Sequence, residues 1–264
     1  ACFVKDLFDF DYELLRISET ESKMTDPQNR KVLQLISQIY DNENDKGVFI
    51  GCMFTEFVSW VSLHTKPTSY VLNNIGMAYL VGRVSYMFNM AGPCVSTDTA
   101  CSSSLVSTYL AQNSYCAQNI SAGVNQLLLI DTTIQISGLQ ALSPVGRCKT
   151  LDKSGDGYGR SEGFAAIEIT KGSGQEQYSF TNQDGRSSAL TAPNGPAQTV
   201  LIKNTLTFPK AQASIGLHGT GTPLGDPIEL GALVGAVGPH TLSIMAVKSY
   251  MSHLEGTAGL SGLM

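Results

Sequence analysis

Helix-like and strand-like patterns alternate along this chain, and that alternation restricts what it can fold into more than any other feature. Val32, Leu33, Leu35, Ile36 and Ile39 approximate a helical stripe through Asn29 to Tyr40. Asp26-Pro27 opens it, with an acidic residue before a first-turn proline. A strand pattern follows at Gly47 to Cys52. Short apolar runs from Ala78 to Ser96, broken by Gly82, Asn89 and Gly92-Pro93, read as a helix end, a turn and a strand. Thr99 to Gln118 has helix-like composition, and Val124 to Ile130 reads as a buried strand. Beyond a Gly-rich loop at Gly146 to Gly163, Phe164 to Ile169 reads as a strand, and Thr191 to Pro196 as a turn opening a helix near Ala197 to Leu206. Such alternation predicts an α/β class. The polar stretch Lys171 to Gln177 is the expected boundary between two halves, residues 1–170 and 171–264.

Charged residues make up 15% of the chain, with 42% hydrophobics and 26 glycines, against about 25% charged in an ordinary domain. Much buried surface and many tight turns are therefore expected. The net charge of −5 argues against nucleic acid, whose phosphates need a basic face. No apolar stretch approaches the roughly 20 residues of a membrane span. Ala1 to Asp6 has neither a secretory start nor an initiator Met, so the chain is expected to begin part-way through a longer one. The six cysteines form no C-x-x-C pair, which removes zinc-ribbon and thioredoxin-like readings and fits a reducing compartment.

The chemistry concentrates in three stretches. In Asp98-Thr99-Ala100-Cys101-Ser102-Ser103-Ser104-Leu105, a cysteine sits between an apolar segment and a helix start near Ser102. The positive helix end would favour thiolate there and lower the thiol pKa. Spacing alone leaves a structural buried cysteine equally open, since serine-rich helix starts are common. In His218-Gly219-Thr220-Gly221-Thr222-Pro223-Leu224-Gly225-Asp226-Pro227-Ile228-Glu229, the glycines keep the histidine accessible and the threonines offer hydroxyls to a polar ligand; the bland alternative is a satisfied core histidine. Lys248-Ser249-Tyr250-Met251-Ser252-His253-Leu254-Glu255-Gly256 places a lysine near a second histidine, where charge repulsion helps keep the imidazole neutral. The Gly-rich loop lacks G-x-G-x-x-G order and precedes a strand, which rejects dinucleotide binding. His64 and His240 fall outside these motifs and read as surface residues, and the Asn119-Ile120-Ser121 sequon carries no weight without secretion.

These three stretches, in this order, resemble the motifs of the β-ketoacyl synthases, particularly the ketosynthase domains of type I polyketide synthases. The third departs from the family's Lys-Ser-Asn-Ile-Gly-His at Tyr250, Met251 and Ser252. Met24 to Arg30, Asp156 to Gly163, and Asn182 to Arg186 with Thr191 to Gly195 resemble further family segments. The resemblance implies a thiolase-like five-layer αβαβα fold of two similar halves, incomplete at both ends. The first half would supply Cys101 and the second His218 and His253.

The same resemblance implies decarboxylative Claisen condensation, in polyketide or fatty acid elongation. Cys101 would carry the growing acyl group, His218 and His253 would donate hydrogen bonds to the thioester oxygen of malonyl on an acyl carrier protein, and Lys248 would support the imidazoles. Thr220 and Thr222 would line the path of the phosphopantetheine arm. No metal and no directly bound cofactor are implied; the expected partners are acyl carrier protein, acyl and malonyl thioesters and a second copy in a homodimer, with no nucleic acid and no membrane span. A cytoplasmic location is expected, with organellar targeting left open. One rival is a cysteine hydrolase using Cys101 and one histidine. Another is a truncated, non-catalytic ketosynthase-like domain that binds acyl carrier protein or dimerises. Relatives carry an oxyanion-hole amide in a Gly-Phe-Gly loop beyond the position of Met264, so the isolated chain is expected to turn over poorly.

Overall fold

The computed structural model describes the chain apart from residues 14–15, 65, 67–68, 73, 173–177, 207–213 and 239–242. In chain order the elements are α1 (Glu19–Met24), α2 (Pro27–Ile39), β1 (Lys46–Cys52), α3 (Phe57–His64), α4 (Ser69–Leu72), α5 (Met77–Met87), β2 (Cys94–Thr97), α6 (Ser103–Asn113), β3 (Gln118–Asn125), α7 (Ile130–Gly138) and β4 (Gly163–Thr170). They continue with α8 (Gly195–Thr205), β5 (Ser214–Gly216), α9 (Gly225–Val237), β6 (Ser243–Met245), α10 (Lys248–Met251), a 3-10 turn at Glu255–Thr257 and α11 (Ala258–Leu263).

Four strands form one sheet in the order β2-β1-β3-β4, with β1 parallel to β2 and β3, and β4 antiparallel to β3. Every residue of β1 is buried, as expected of a strand covered on both faces. On one face, Val32, Leu33 and Ile36 of α2 and Leu80, Val81 and Val84 of α5 pack on Val48, Ile50, Ile120, Ala122 and Val124. The Asp26 carboxylate caps α2 by accepting from the Gln28 N–H at 2.8 Å, with Pro27 in the first turn, as the sequence predicts.

The other face is built from small residues. A Cβ on Gly51 would overlap the Ser103–Ser104 backbone, and one on Gly123 would lie 2.7 Å from Ser104 Cβ. Helix α6 therefore lies flush on β1 and β3, and Ser103, Ser104 and Ser107 are all buried. Helix α11 packs beside it: the Leu260 N–H donates to Ser104 Oγ at 3.1 Å. A Cβ on Gly216 of β5 would come within 3.6 Å of the Gly262 carbonyl of α11, so α11 lies between this sheet and the second one, the parallel pair β5–β6. Helices α8 and α9 pack together, with Thr199 Oγ1 donating to the Ala232 carbonyl at 3.4 Å.

Two expectations are corrected. The strand placed at Val124 to Ile130 is β3, Gln118–Asn125, and the chain leaves it before the apolar run begins. Residues Leu127 to Leu129 have no strand neighbour: their N–H groups donate to carboxylates, Leu127 to Glu162 at 3.0 Å, and Leu128 and Leu129 to Glu56 at 2.7 and 2.8 Å. The strand itself looks polar because Asn119, Ser121 and Asn125 are buried with partners, Ser121 pairing with Thr108 of α6 at 3.0 Å. Likewise, α5 does not end at Gly82 but continues to Met87; open space surrounds Gly82, so nothing there breaks the helix. The sequon lies in buried β3, out of reach of modification. Most of the expected boundary, 173–177, and His240 lie outside the described residues, and His64 is exposed. Among the described residues, no helix is long and apolar enough to cross a membrane.

Candidate active site

Cys101 follows the C-terminal end of β2 and precedes α6 by two residues. The turn that lifts it is tight. Ala100 takes φ 55°, and its N–H donates to Asp98 Oδ1 at 3.0 Å. The Thr99 N–H donates to Ser103 Oγ at 2.9 Å, and Ser102 Oγ donates to the Thr99 carbonyl at 2.8 Å. The serines thus close the turn while remaining small enough for α6 to sit on the sheet. The thiol differs from expectation: burial pushes its pKa up, and the Lys248 charge and the Cys101 backbone N–H oppose this without overcoming it. The helix end is present, but the sulfur is half withdrawn from water.

His218 lies in the loop after β5, and two carboxylates of α9 shape that loop. Glu229 accepts from the His218 and Gly219 N–H groups at 2.5 and 2.9 Å. Asp226 accepts from Gly221 N–H at 3.0 Å and from Leu151 N–H at 2.7 Å, tying the loop to the Gly-rich segment. Gly221, at φ 77°, must be glycine, because a Cβ would meet the Lys149 and Cys148 backbone. This arrangement brings His218 Nε2 to 4.0 Å from Cys101 Sγ. Thr220 and Thr222 place their hydroxyls 3.3 Å apart, and Thr222 Oγ1 also accepts from the Gly225 N–H at 3.1 Å, so part of its capacity goes to opening α9.

His253 is pinned on both sides. Its N–H donates to the Gly159 carbonyl at 2.7 Å, and its carbonyl accepts from the Ser161 N–H at 2.9 Å. Nδ1 accepts from the Glu255 N–H at 3.0 Å. A neutral imidazole accepting at Nδ1 carries its proton on Nε2, so His253 presents an N–H donor. The His218 and His253 rings stand edge to face, 5.4 Å apart at 86°, and Tyr158 packs its ring 5.0 Å from His253. Ser252, at the family's glycine position, holds φ 63° and ψ −168°.

Both imidazole pKa values are lowered, which favours the neutral forms. Burial holds His253 well below the usual imidazole range, and the charges of His218, Lys248 and Arg160 add to it. Burial also lowers His218, with Lys248 second. The His218 residue is exposed to solvent, and water there relieves part of that desolvation. Lys248, only 7% exposed, is itself lowered by burial. Its repulsion, expected from sequence to keep the imidazoles neutral, is thus secondary to desolvation.

Cys101, His218 and His253 each offer a ligand-type atom, all within 4.8 Å of one another. They make a poor metal site. Binding through His253 Nε2 would move its proton to Nδ1 and set that N–H against the Glu255 N–H. Sequence reasoning gives no role to Glu229 and Glu255, which aim the histidines, or to Arg160 and Tyr158, which pack behind them. The available signal was carboxylates placed inside glycine-rich motifs of a weakly charged chain. In the Gly-rich loop, Gly157 and Gly159 permit close backbone approach to Ala141–Ser143 and Gly146, not to a phosphate.

Residues 1–173 match the family described as beta-ketoacyl synthase, N-terminal domain, and residues 175–264 match beta-ketoacyl synthase, C-terminal domain. A phenolphthiocerol/phthiocerol polyketide synthase of Mycobacterium tuberculosis is 36% identical over 97% of this chain and 13% of its own length. A non-reducing polyketide synthase of Stereocaulon alpinum is 33% identical over 99% of this chain and 12% of its own length. Among solved structures, an oxazolomycin ketosynthase domain of Streptomyces albus superposes with TM-score 0.85 at 30% identity, over 99% of this chain and 52% of that one. The ketosynthase from module 6 of the bacillaene synthase of Bacillus subtilis gives 0.82 at 28% identity, over 98% and 50%. The chain thus spans about half the length of these solved ketosynthases and a small part of the curated synthases, and its fold is the thiolase-like α/β arrangement they share.

Proposed function

Because the chain belongs to the β-ketoacyl synthase family, we propose that it carries the carbon–carbon bond-forming site of a type I polyketide synthase, acting by decarboxylative Claisen condensation. Residues 1–170 supply the nucleophile and 171–264 the two imidazoles. In the first half-reaction, Cys101 Sγ attacks an acyl thioester carried by an acyl carrier protein, and the carrier's phosphopantetheine thiol leaves. His218 Nε2, neutral and 4.0 Å away, is the nearest base for the thiol proton. In the second, malonyl on the carrier loses carbon dioxide, and negative charge develops on its thioester oxygen. His253 donates Nε2–H to that oxygen, and His218, in its Nε2–H tautomer at this stage, supplies the second donor. The resulting carbanion attacks the acyl-Cys101 carbonyl, and Cys101 leaves as thiolate, which takes a proton from solvent to restore the neutral thiol.

One observation carries this reading: a half-buried thiol and two neutral imidazoles converge within 4.8 Å, with the His253 proton held on Nε2. Donors preorganised where charge develops are worth a few kcal/mol each in such sites. Lys248 adds a minor push toward the neutral imidazoles beside the larger effect of burial, and the Thr220 and Thr222 hydroxyls flank the phosphopantetheine arm. The carrier and its thioesters are substrates brought to the site, so no resident cofactor is invoked. The outer edge of β2 has no strand partner among the described residues, and a second copy covering it would form the expected homodimer. Six free cysteines fit a reducing, cytoplasmic location.

The test separates the half-reactions. Cys101→Gln should abolish condensation yet retain malonyl decarboxylation, while His253→Ala should lower decarboxylation by about 10²–10³. Loss of both activities in Cys101→Gln would contradict the division of labour. Release of free acid as the sole product would favour a cysteine hydrolase instead. The non-catalytic reading draws no support from a site whose three reactive groups are assembled.

A further inference from the structure

The geometry points to Arg160 as a positioning residue that acts through Glu255 to hold His253 as an Nε2–H donor. This rests on the reading of His253 above. The tautomer depends on one contact, the Glu255 N–H donated to His253 Nδ1 at 3.0 Å. Glu255 does not adopt that pose freely: its φ is 45°, in the left-handed region where a non-glycine residue is strained. Something must hold it there, and its side chain shows what.

The Glu255 carboxylate is almost wholly buried, at 1% exposed. Arg160 Nε donates to Oε1 at 2.6 Å and Nη2 to Oε2 at 3.0 Å, while Asn125 Nδ2 donates to Oε2 at 3.1 Å. A two-pronged guanidinium–carboxylate pair fixes orientation as well as charge. Arg160 is itself fixed: Nη1 donates to Thr133 Oγ1 at 2.7 Å, Glu56 Oε1 lies 3.8 Å from Nη2, and the guanidinium lies 5.5 Å from the centre of the Phe54 ring. Its backbone neighbours, Gly159 and Ser161, make the two hydrogen bonds that pin the His253 main chain. The segment Gly159–Ser161 thus anchors the His253 main chain, and the Arg160 side chain at its centre reaches Glu255, which sets the proton position.

Charge argues in the same direction. A bare Glu255 carboxylate two residues from His253 would favour the imidazolium, which has no lone pair on Nδ1 and would turn the Glu255 N–H against it. Pairing with Arg160 removes that influence, and the Arg160 charge itself lowers the His253 pKa. Removing Arg160 alone leaves Glu255 charged and unpaired in the interior, which threatens folding. The informative variant is therefore the neutral pair Arg160→Met with Glu255→Gln.

In the 264-residue chain with 15N-labelled histidine, the ring nitrogen shifts of His253 report its tautomer directly. Wild type should show Nε2–H alone, and the double variant a mixture of both neutral forms. Malonyl-pantetheine decarboxylation should fall by about 10–100-fold in kcat, the scale of a roughly 1 Å misplacement, with little change in KM. Should the double variant not fold, Arg160→Lys keeps the charge without the fork and carries the same two readouts. A folded variant whose His253 stays entirely Nε2–H with unchanged kcat would overturn the assignment. Failure of the wild type to decarboxylate malonyl-pantetheine would instead sink the condensation reading, while the tautomer measurement still decides the role of Arg160.

Discussion

Cys101 Sγ and His218 Nε2 stand 4.0 Å apart, beyond the reach of a tight thiolate–imidazolium pair. Burial raises the thiol pKa and lowers that of the imidazole, so the resting pair is neutral on both sides. Many cysteine nucleophiles are activated by forming the ion pair in advance. Under the condensation proposed above, the proton moves during loading, when the incoming thioester supplies its own electrophile.

Alkylation should report this. Iodoacetamide is expected to modify the exposed Cys2 and Cys94 first, then the half-buried Cys101, with buried Cys52 and Cys148 last. The Cys101 rate should rise with pH to an inflection above the ordinary thiol value of about 8.5. Peptide mapping across pH 6 to 10 would measure it. An inflection below about 7.5 would mean that the pair is ionised at rest.

Asp26 offers a test of stability against pH. Burial raises its carboxyl to about 6, against hydrogen bonds from Gln28 and Gln126 and the charge of Arg30. Between the unfolded and folded pKa values, the native state holds a proton that the unfolded chain does not. Stability from this group is therefore fully present below about pH 4 and lost as pH rises through about 6. Asp26→Asn keeps an oxygen to cap α2 but has no charge to bury. Its stability relative to wild type should improve by about 2 kcal/mol between pH 4 and pH 8, as read by denaturant unfolding at each pH. No change with pH would show that Asp26 is charged in the folded protein without cost.

The three side chains that the structure brings together, Cys101, His218 and His253, were legible because each sits among unusual neighbours. The three serines after Cys101 are small enough for a helix to lie on a glycine-bearing sheet, and Gly219 and Gly221 bracket Thr220 where the loop takes positive φ. Helix α2 was legible from its stripe and its Asp-Pro start. Strand β3 was not, because hydrophobicity misleads where a strand satisfies buried Asn and Ser side chains through long-range partners. The state of the thiol was also hidden, since helix position can be read from sequence and desolvation cannot. Arg160 and Glu255 lie 95 positions apart, and no local pattern announces their pairing.

Gly51 connects packing to the site. A Cβ there would overlap the Ser103–Ser104 backbone, which no side-chain rotation can relieve. Gly51→Ala should cost about 1–3 kcal/mol or more by overpacking, and it should push α6 and Cys101 away from His218. The expected signature is lost acylation of Cys101 in protein that still folds at low temperature. Wild-type acylation in the variant would mean that the start of α6 is not what positions the thiol.

Ser252 is where this chain departs from the resembled motif in side chain while holding a backbone suited to glycine. At φ 63° and ψ −168° it occupies a region suited to glycine, and the resembled Lys-Ser-Asn-Ile-Gly-His motif has glycine at this position. The compensation is slight: Ser252 Oγ donates to the Gly146 carbonyl at 3.4 Å, a long contact, while its N–H closes the turn onto the Lys248 carbonyl at 2.9 Å. The strain sits one residue before His253 and is held by the hydrogen bonds on either side of that histidine. Ser252→Gly should therefore stabilise the protein by about 1 kcal/mol, since relief of strain outweighs the extra freedom glycine has when unfolded. Ser252→Ala should not stabilise it, because alanine inherits the strain and loses the hydroxyl. Comparing urea midpoints of the two variants with wild type isolates the backbone contribution. If alanine matched glycine, the hydroxyl and not the backbone would be the source of the cost.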